Sequence, residues 1–96
     1  MNLLTDAEIS SRLALLAGWS VQDGKLHRAY KFRGFEQAID FMVAATPGIA
    51  KMDHHPEWAN VYDRITVDLA THSAGGITQK DFDLAVLLEG LFPKLL

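Results

Sequence analysis

Asp23-Gly24 separates two short segments of alternating apolar and polar residues, and this feature narrows the possible folds most. The dipeptide is favoured in two-residue β-hairpin turns because both of its residues tolerate positive φ. In the segment after the turn, every second residue from Leu26 to Phe32 is apolar except Arg28, so one face of that strand should be buried. The predicted strands are residues 19–22 and 25–32.

A second hairpin is predicted farther along the chain. Apolar and more polar residues alternate from Ile65 to Ala70, which is the period of a half-buried strand. His72 continues the polar row. The predicted strands of this hairpin are residues 57–62 and 64–71.

Capping patterns predict where the first and third helices begin. Thr5 and Glu8 have the spacing of a capping box, in which each side chain satisfies an amide at the helix start. Thr78 and Asp81 repeat that spacing before a second apolar stretch. Gly18 can supply the left-handed residue that closes the first helix.

A second amphipathic helix is predicted after Gly34, where apolar residues return to helical spacing. Pro47 falls inside this stretch, where its ring removes an amide donor and crowds the preceding turn. The sequence therefore predicts a kink or break near Thr46.

The third helix carries more apolar residues than one sheet can cover. Its leucine stripe and the residues that widen the stripe are Leu84, Leu87, Leu88, Leu91 and Leu95, with Val86, Phe92 and Leu96. A surplus of apolar surface on a small chain favours a subunit interface, so a homodimer or homotetramer is expected.

The predicted elements follow one another in the order α-β-β-α-β-β-α. This order gives an α+β fold, with three helices on one face of a four-stranded antiparallel sheet. With 96 residues, the chain has the length of a single domain spanning residues 1–96.

Composition excludes several classes of function. The formal net charge of −3 and the lack of a basic run argue against a nucleic-acid-binding protein. Without cysteine, the chain has no disulfide, thiolate metal site or cysteine nucleophile. No apolar run approaches the ~20 residues of a membrane span and the N-terminus has no basic leader, so a cytoplasmic protein without a membrane partner is expected.

Two of the four histidines, His54 and His55, stand side by side between Asp53 and Pro56. Imidazole has a reference pKa of about 6.5, so both its acid and base forms are populated near neutral pH. Pro56 biases His55 towards an extended backbone, in which neighbouring side chains diverge. With His72 at a strand end, the pair is interpreted as an acid–base site whose two rings do different jobs.

Other readings of the histidines are less favoured. Both residues could be surface or capping residues at a helix end, where a charged imidazole suits the helix dipole. Three histidines are enough ligands for a catalytic zinc, but the helical HExxH arrangement is missing. A serine hydrolase is weaker still, because there is no GxSxG motif around Ser73.

Several residues near these motifs could support a site. Trp58 could wall the pocket, whereas a core position is the usual role of an isolated tryptophan such as Trp19. Asp81 is interpreted as a helix-start residue that could also orient a histidine through its charge. His27 alternates with lysines and is interpreted as solvated.

The segments DHHPEWANVY, ITVDLATHSAGGIT and KDFDLA together resemble the pterin-4a-carbinolamine dehydratase family, also known as a dimerisation cofactor of a homeodomain transcription factor. The resemblance covers nearly the whole chain. It includes Gly18-Trp19, the block at residues 54–62, the Thr71-His72 pair and the helix opening that ends at Asp81.

This resemblance implies the helix and hairpin order predicted above, in dimers or tetramers. It also implies an enzyme that removes water from 4a-hydroxytetrahydrobiopterin in tetrahydrobiopterin recycling. The substrate is what an aromatic amino acid hydroxylase leaves behind, and no metal or organic cofactor is implied. The alternative is a non-catalytic interaction or coactivator module on the same scaffold.

The family pattern also implies roles for individual residues. His54 and His72 would be the acid–base pair at the substrate hydroxyl, and His55, also counted as catalytic, would mainly hold the pterin. The residues expected to bind substrate, in addition to these histidines, are Asp53, Ala70, Thr71, Ser73 and Trp19.

One position departs from the family pattern. Ala50 precedes Lys51 where relatives commonly carry glutamate, so a carboxylate that could bind the pterin or tune a histidine is missing. Reduced activity is the expected consequence. The alternatives are that Glu57 or Asp53 compensates for the lost group, or that the protein keeps the fold for another task.

Overall fold

A computed structural model describes the backbone of residues 2–95 and the side chains of residues 2–93. Within that range, three α-helices and four strands follow the predicted order. The helices are α1 (Asp6–Leu13), α2 (Phe35–Met52) and α3 (Gln79–Leu91), and the strands are β1 (Ser20–Gln22), β2 (Lys25–Lys31), β3 (Glu57–Val61) and β4 (Arg64–Leu69). Short 3₁₀ turns cover His72–Ala74 and Phe92–Leu95.

Both predicted hairpins are present and join into one antiparallel sheet. Asp23 and Gly24 adopt φ of +52° and +75° in the first turn, and Tyr62 adopts +53° in the second. The second strands of the two hairpins pair with each other, so the order across the sheet is β1-β2-β4-β3. The predicted α+β fold is therefore confirmed.

The two faces of the sheet differ as the alternation predicted. The inner face carries the largest buried side chains of the sheet, which are Leu26, Tyr30, Ile65, Val67 and Leu69. The outer face is polar and carries ion pairs. One pair joins His27 Nδ1 to Asp68 Oδ1 at 2.9 Å, so His27 is half-buried by its partner rather than fully solvated.

Capping boxes open α1 and α3 as predicted. The end of α1 differs, since the helix stops at Leu13 instead of running to Gly18. Gly18 does adopt the left-handed region, with φ of +90°. A β-carbon there would lie 2.7 Å from Arg28 Nε, so the glycine also makes room for that side chain.

Of the kink or break predicted near Thr46, the break is wrong, because α2 runs without interruption through Pro47. Proline removes one helical hydrogen bond, the one that residue 47 would donate to the carbonyl of Val43. That carbonyl belongs to an exposed residue on the outer side of the helix, where water can satisfy it. Phe41 and Ile49 are buried on either side of the proline, and their packing holds one helix together.

The close approach of α2 to α3 depends on Gly48. A β-carbon at this position would lie 2.6 Å from Leu87 Cδ2. Glycine therefore lets the two helices pack against each other over the same face of the sheet.

Most of the apolar side chains that α3 was predicted to carry in excess pack in or against the core. Leu84 and Leu88 are fully buried, and Phe92 stacks on Tyr30 with ring centroids 4.7 Å apart. Among the stripe members whose side chains are described, Val86 is the exposed one, at 60%. The side chain of Leu95 and all of Leu96 lie outside the described part of the chain.

Within residues 2–95, no helix combines the length and the hydropathy that crossing a bilayer requires.

A carboxylate on α3 ties the helix layer to the sheet. Glu89 Oε1 accepts hydrogen bonds from Trp19 Nε1 at 2.8 Å, Tyr30 Oη at 2.8 Å and Arg28 Nε at 3.1 Å. Burial raises the pKa of Tyr30 well above its ordinary value, and the hydrogen bond to Glu89 adds to the effect.

The raised pKa of Tyr30 predicts a loss of stability in alkali. Below pH of about 10, the phenol is protonated in both the folded and the unfolded chain and contributes no pH dependence. Above that pH the unfolded chain ionises first, so the free energy of unfolding should fall by up to about 1.4 kcal/mol per pH unit. Urea unfolding of the natural chain and of Tyr30→Phe between pH of about 9 and 12 measures this slope.

Tyr62→Phe is the matched control, because Tyr62 is 67% exposed. The natural chain and Tyr62→Phe should lose stability together, while Tyr30→Phe loses less with each pH unit. Parallel curves for all three proteins would contradict the buried phenol.

Candidate active site

The histidine pair lies on the turn between α2 and β3. Asp53 ends the helix in the left-handed region, with φ of +50°, and its N–H donates to the Ala50 carbonyl at 3.2 Å. Pro56 follows the pair and favours an extended backbone before it. His54 consequently turns inward and is 9% exposed, whereas His55 turns outward.

His54 is bound to a buried carboxylate. Its Nε2 lies 2.6 Å from Asp81 Oδ1, and Asp81 is fully buried in the first turn of α3. The other carboxylate oxygen, Oδ2, accepts from the Thr78 N–H at 2.8 Å and from the Thr71 hydroxyl at 2.9 Å. Since an ionised carboxylate only accepts, Nε2 of His54 carries a proton and donates it to Asp81.

The second ring nitrogen of His54 is accessible to solvent and makes no hydrogen bond within the protein. Among the side chains of residues 2–93, no nitrogen or oxygen is both buried and without a hydrogen-bond partner. No hydrogen bond is found for His54 Nδ1, so that atom reaches the surface. In the neutral ring it is the unprotonated nitrogen, which can accept a proton from a bound molecule.

A first cavity, cavity A, opens beside His72 and has a volume of about 270 Å³. The His72 side chain is 93% exposed, and its Nε2 lies 3.8 Å from Glu57 Oε1. Glu57 Oε2 in turn accepts from Lys25 Nζ at 2.7 Å, which raises the pKa of that ammonium group. The lining residues are Asp23, Gly24, Lys25, Glu57, Ala70, Thr71, His72, Gly75 and Gly76.

A second cavity, cavity B, has a volume of about 210 Å³ and a more apolar wall. Its lining residues are Thr46, Ile49, Ala50, His55, Pro56 and Trp58. Glu57 of cavity A and Trp58 of cavity B are consecutive in β3, so the cavities open on opposite faces of the sheet. Ala50, at the position where the family resemblance implies glutamate, lies in the wall of cavity B.

His54 lines neither cavity, but it is next to residues that do. The neighbouring residue His55 lines cavity B. The hydrogen-bond partner of His54, Asp81, is bound to Thr71 of cavity A. The predicted residues thus divide between the two sides. Ala70, Thr71 and His72 line cavity A, His55 and Trp58 line cavity B, and His54 and Asp81 connect them.

Three further residues that were predicted to bind substrate line neither cavity. Asp53 and Ser73 are exposed next to the site in the chain but line neither cavity. Trp19 was expected close to the pocket, yet it is 6% exposed in the core. Its indole N–H is bound to Glu89, which holds the ring against Tyr30 instead.

Sequence reasoning missed two contributors to the site. Lys25 reaches cavity A because β2 and β4 are neighbours in the sheet, and no local motif encodes that pairing. Thr78 was recognised as a cap, but its hydroxyl also lies 2.7 Å from that of Thr71. Within the described residues, no three histidine, aspartate or glutamate side chains form a group that could hold a metal ion.

Comparison with known proteins identifies relatives along almost the full chain. Residues 2–91 match the family model described as pterin 4 alpha carbinolamine dehydratase. A protein of Solibacter usitatus, provisionally named pterin-4-alpha-carbinolamine dehydratase, is 53% identical over 88 residues, covering 92% of this chain and 93% of its own. A protein of Sulfolobus acidocaldarius with the same provisional name is 42% identical over 82 residues, covering 85% and 90%.

A solved structure shares the fold as well. The crystal structure of a transcriptional coactivator/pterin dehydratase from Brucella melitensis superposes with a TM-score of 0.91 at 41% identity. The match covers 95% of this chain and 99% of that one. Both kinds of similarity agree with the resemblance of the histidine motif, and the chain belongs to the pterin-4-alpha-carbinolamine dehydratase family.

Proposed function

We propose that the chain dehydrates 4a-hydroxytetrahydrobiopterin to quinonoid dihydropterin in tetrahydrobiopterin recycling, by histidine acid–base catalysis. Family membership supports the reaction class. The observation that carries the mechanism is the buried bond between His54 and Asp81, which leaves Nδ1 of the ring open. An aromatic amino acid hydroxylase in the same cell would supply this substrate.

The reaction moves two protons and breaks one bond to oxygen. The C4a–O bond breaks and the hydroxyl leaves as water after receiving a proton. N5 loses its proton, and the electrons of that N–H bond form the C4a=N5 double bond. One group must therefore donate a proton and another must accept one, with no net change in charge.

The two roles suit two histidines with different surroundings. His54 is the acceptor, because its neutral ring presents Nδ1 while Asp81 compensates the charge that arrives with the proton. His72 is the donor, and Glu57, 3.8 Å away, can accompany its positive charge. Both histidines regain their starting states through exchange with solvent.

Substrate binding is proposed at the end of the sheet where β3 begins and β4 ends, because the segments that carry the histidines flank that end. His55 holds the pterin rather than moving protons, since it shares cavity B with Trp58, whose ring offers a flat apolar surface to a bicyclic ligand. Asp53, Ala70 and Ser73 are the further binding candidates on the chain segments that flank the histidines. Trp19 is not among them because its indole is committed to Glu89.

The experiment measures the rate of quinonoid dihydropterin formation from 4a-hydroxytetrahydropterin generated in situ. The natural chain should exceed the uncatalysed rate. His72→Ala should lower kcat by about 100-fold, at the low end of acid–base contributions because this side chain is almost fully exposed.

His27→Ala is the matched control. Like His72, His27 has a carboxylate partner, which is Asp68, but His27 lines neither cavity, so kcat should be unchanged. A folded natural chain that does not exceed the uncatalysed rate would refute the enzyme. Equal effects at His72 and His27 would refute the role of His72.

A second candidate is a protein-interaction module, and the surface of α2 favours it. The outer side of this helix is exposed and uncharged over Val43, Ala44, Thr46, Pro47 and Ala50. Such a surface suits a homodimer or homotetramer, or another protein, and the Brucella melitensis relative is named a coactivator as well as a dehydratase. The molar mass of the natural chain by light scattering tests self-association.

A further inference from the structure

Thr71 lies in the wall of cavity A, where the family resemblance implies a substrate-binding residue. We propose instead that Thr71 is a positioning residue, whose hydroxyl holds Asp81 and thereby His54, and that this hydroxyl donates no hydrogen bond to the pterin. The inference rests on the proposed function for the role of His54. The arrangement of Thr71 itself is independent of that function.

The only proton of the Thr71 hydroxyl is already used in a hydrogen bond. Its Oγ1 lies 2.9 Å from Asp81 Oδ2 and 2.7 Å from Thr78 Oγ1. A hydroxyl has one proton, and the carboxylate can only accept, so Thr71 donates to Asp81. Thr78 must then donate to Thr71, which gives the bonds one direction, from Thr78 through Thr71 to Asp81.

The backbone N–H and carbonyl of Thr71 are hydrogen-bonded as well. Its N–H donates to the Gly76 carbonyl at 2.8 Å, and its carbonyl accepts from the N–H groups of Ala74 at 3.1 Å and Gly75 at 2.9 Å. The residue is 4% exposed. A pterin acceptor could therefore take the hydroxyl or amide proton of Thr71 only by breaking a bond that already exists, and an unpaired buried group is costly.

These bonds connect Thr71 to both proposed catalytic histidines. Through its side chain it fixes one oxygen of Asp81, so that the other oxygen stays on Nε2 of His54. Through its backbone it closes the 3₁₀ turn that carries His72. Without the hydroxyl, the Thr78 N–H alone holds Oδ2 of Asp81, so the carboxylate is less firmly fixed as the partner of His54 Nε2.

The test compares Thr71→Val, which is close in shape but lacks the hydroxyl, with Thr71→Ser, which keeps it. Thr66→Val is the matched control, because it makes the same exchange at an exposed position of β4 with no contact to Asp81. Proton NMR of each protein without pterin measures how fast the Nε2–H of His54 exchanges with water.

In Thr71→Val this exchange should accelerate at least about tenfold, whereas Thr71→Ser and Thr66→Val should match the natural chain. Steady-state rates should show kcat about tenfold lower with KM unchanged, less than the ~10²-fold cost of an ångström-scale misplacement. Unchanged exchange in folded Thr71→Val would overturn the proposal. So would a raised KM at unchanged kcat, which is the mark of a substrate-binding group.

The natural chain alone gives a second test if Thr71→Val does not fold. Its Thr71 hydroxyl proton should exchange slowly and keep its resonance when 7,8-dihydropterin is added to saturation. Fast exchange, or a resonance displaced on binding, would overturn the positioning role. Because the exchange measurements need no turnover, they remain decisive even if the natural chain proves inactive as a dehydratase.

Discussion

Replacement of His54 by alanine is expected to lower kcat by about 10²- to 10⁴-fold, the range that a positioned acid–base group contributes. The ring is nearly buried and bound to Asp81, so no other side chain can take its place. The rate of quinonoid dihydropterin formation measures the loss. A urea unfolding curve must show that the variant is folded at the assay temperature.

Asp81→Asn should lower kcat by most of the same factor, although the His54 side chain is still present. The carboxylate of Asp81 accepts from three donors, whereas an asparagine amide must present N–H groups to at least one of them. The exchange should cost about 1–3 kcal/mol of stability, because a buried donor loses its acceptor. It should cost activity because the ring is no longer held with its proton on Nε2.

The double variant shows whether the two residues act as one unit. His54→Ala combined with Asp81→Asn should be no slower than His54→Ala alone, since Asp81 acts only through the ring. If the two losses multiply, Asp81 serves the reaction by another route and the proposed pairing fails.

Phe41→Ala is expected to destabilise the fold by about 3–5 kcal/mol, the usual cost of emptying a buried aromatic site. Phe41 is 0% exposed and lies 5.1 Å from the Tyr30 ring and 5.2 Å from the Phe32 ring, measured between centroids. A domain of this length has roughly 5–14 kcal/mol of stability in total. The loss should therefore be a large share of it, as measured by the free energy of unfolding in urea.

Phe35→Ala is the control on the same helix. Phe35 is 50% exposed at the start of α2, so its truncation should cost less than about 1 kcal/mol. Similar losses at both positions would mean that α2 does not bury the face described here, and the packing around Tyr30 would have to be revised.

The elements that the sequence predicted well depend on neighbours a few positions away. The Asp23-Gly24 turn and the capping pair Thr78 and Asp81 each need only two to four residues to form. The alternation of β2 and β4 likewise repeats over each strand, and one buried face follows from it. Interactions between residues close in sequence were therefore enough to predict the order of the helices and strands.

The continuous course of α2 could not be predicted because packing decides it. Pro47 disfavours a helix by the loss of one hydrogen bond, and that local rule is the one a sequence displays. Phe41 and Ile49 settle the matter by burying the same helical face on both sides of the proline. Their contacts with the rest of the core cannot be counted before the fold is known.

In the candidate site, too, local sequence predicted some features, whereas contacts between distant residues decided others. The divergence of His54 and His55 followed from Pro56 and was anticipated. The partner of His54 is 27 residues away on another helix, and its orienting role could be raised only as one option for Asp81. The location of Trp19 depended on a contact with Glu89, 70 residues away, and no sequence motif signals that contact.

The sheet order β1-β2-β4-β3 has a consequence for how the chain reaches its folded state. Each hairpin closes through a short turn and can form within ~1–10 μs, but the central seam joins strands separated by the whole of α2. Loop closure across that helix is expected to be the slow event, since its entropy is lost before the seam is gained. His54, Thr71 and Asp81 are brought together only when the seam and α3 have both docked, so a partly folded chain is not expected to carry the proposed catalytic site.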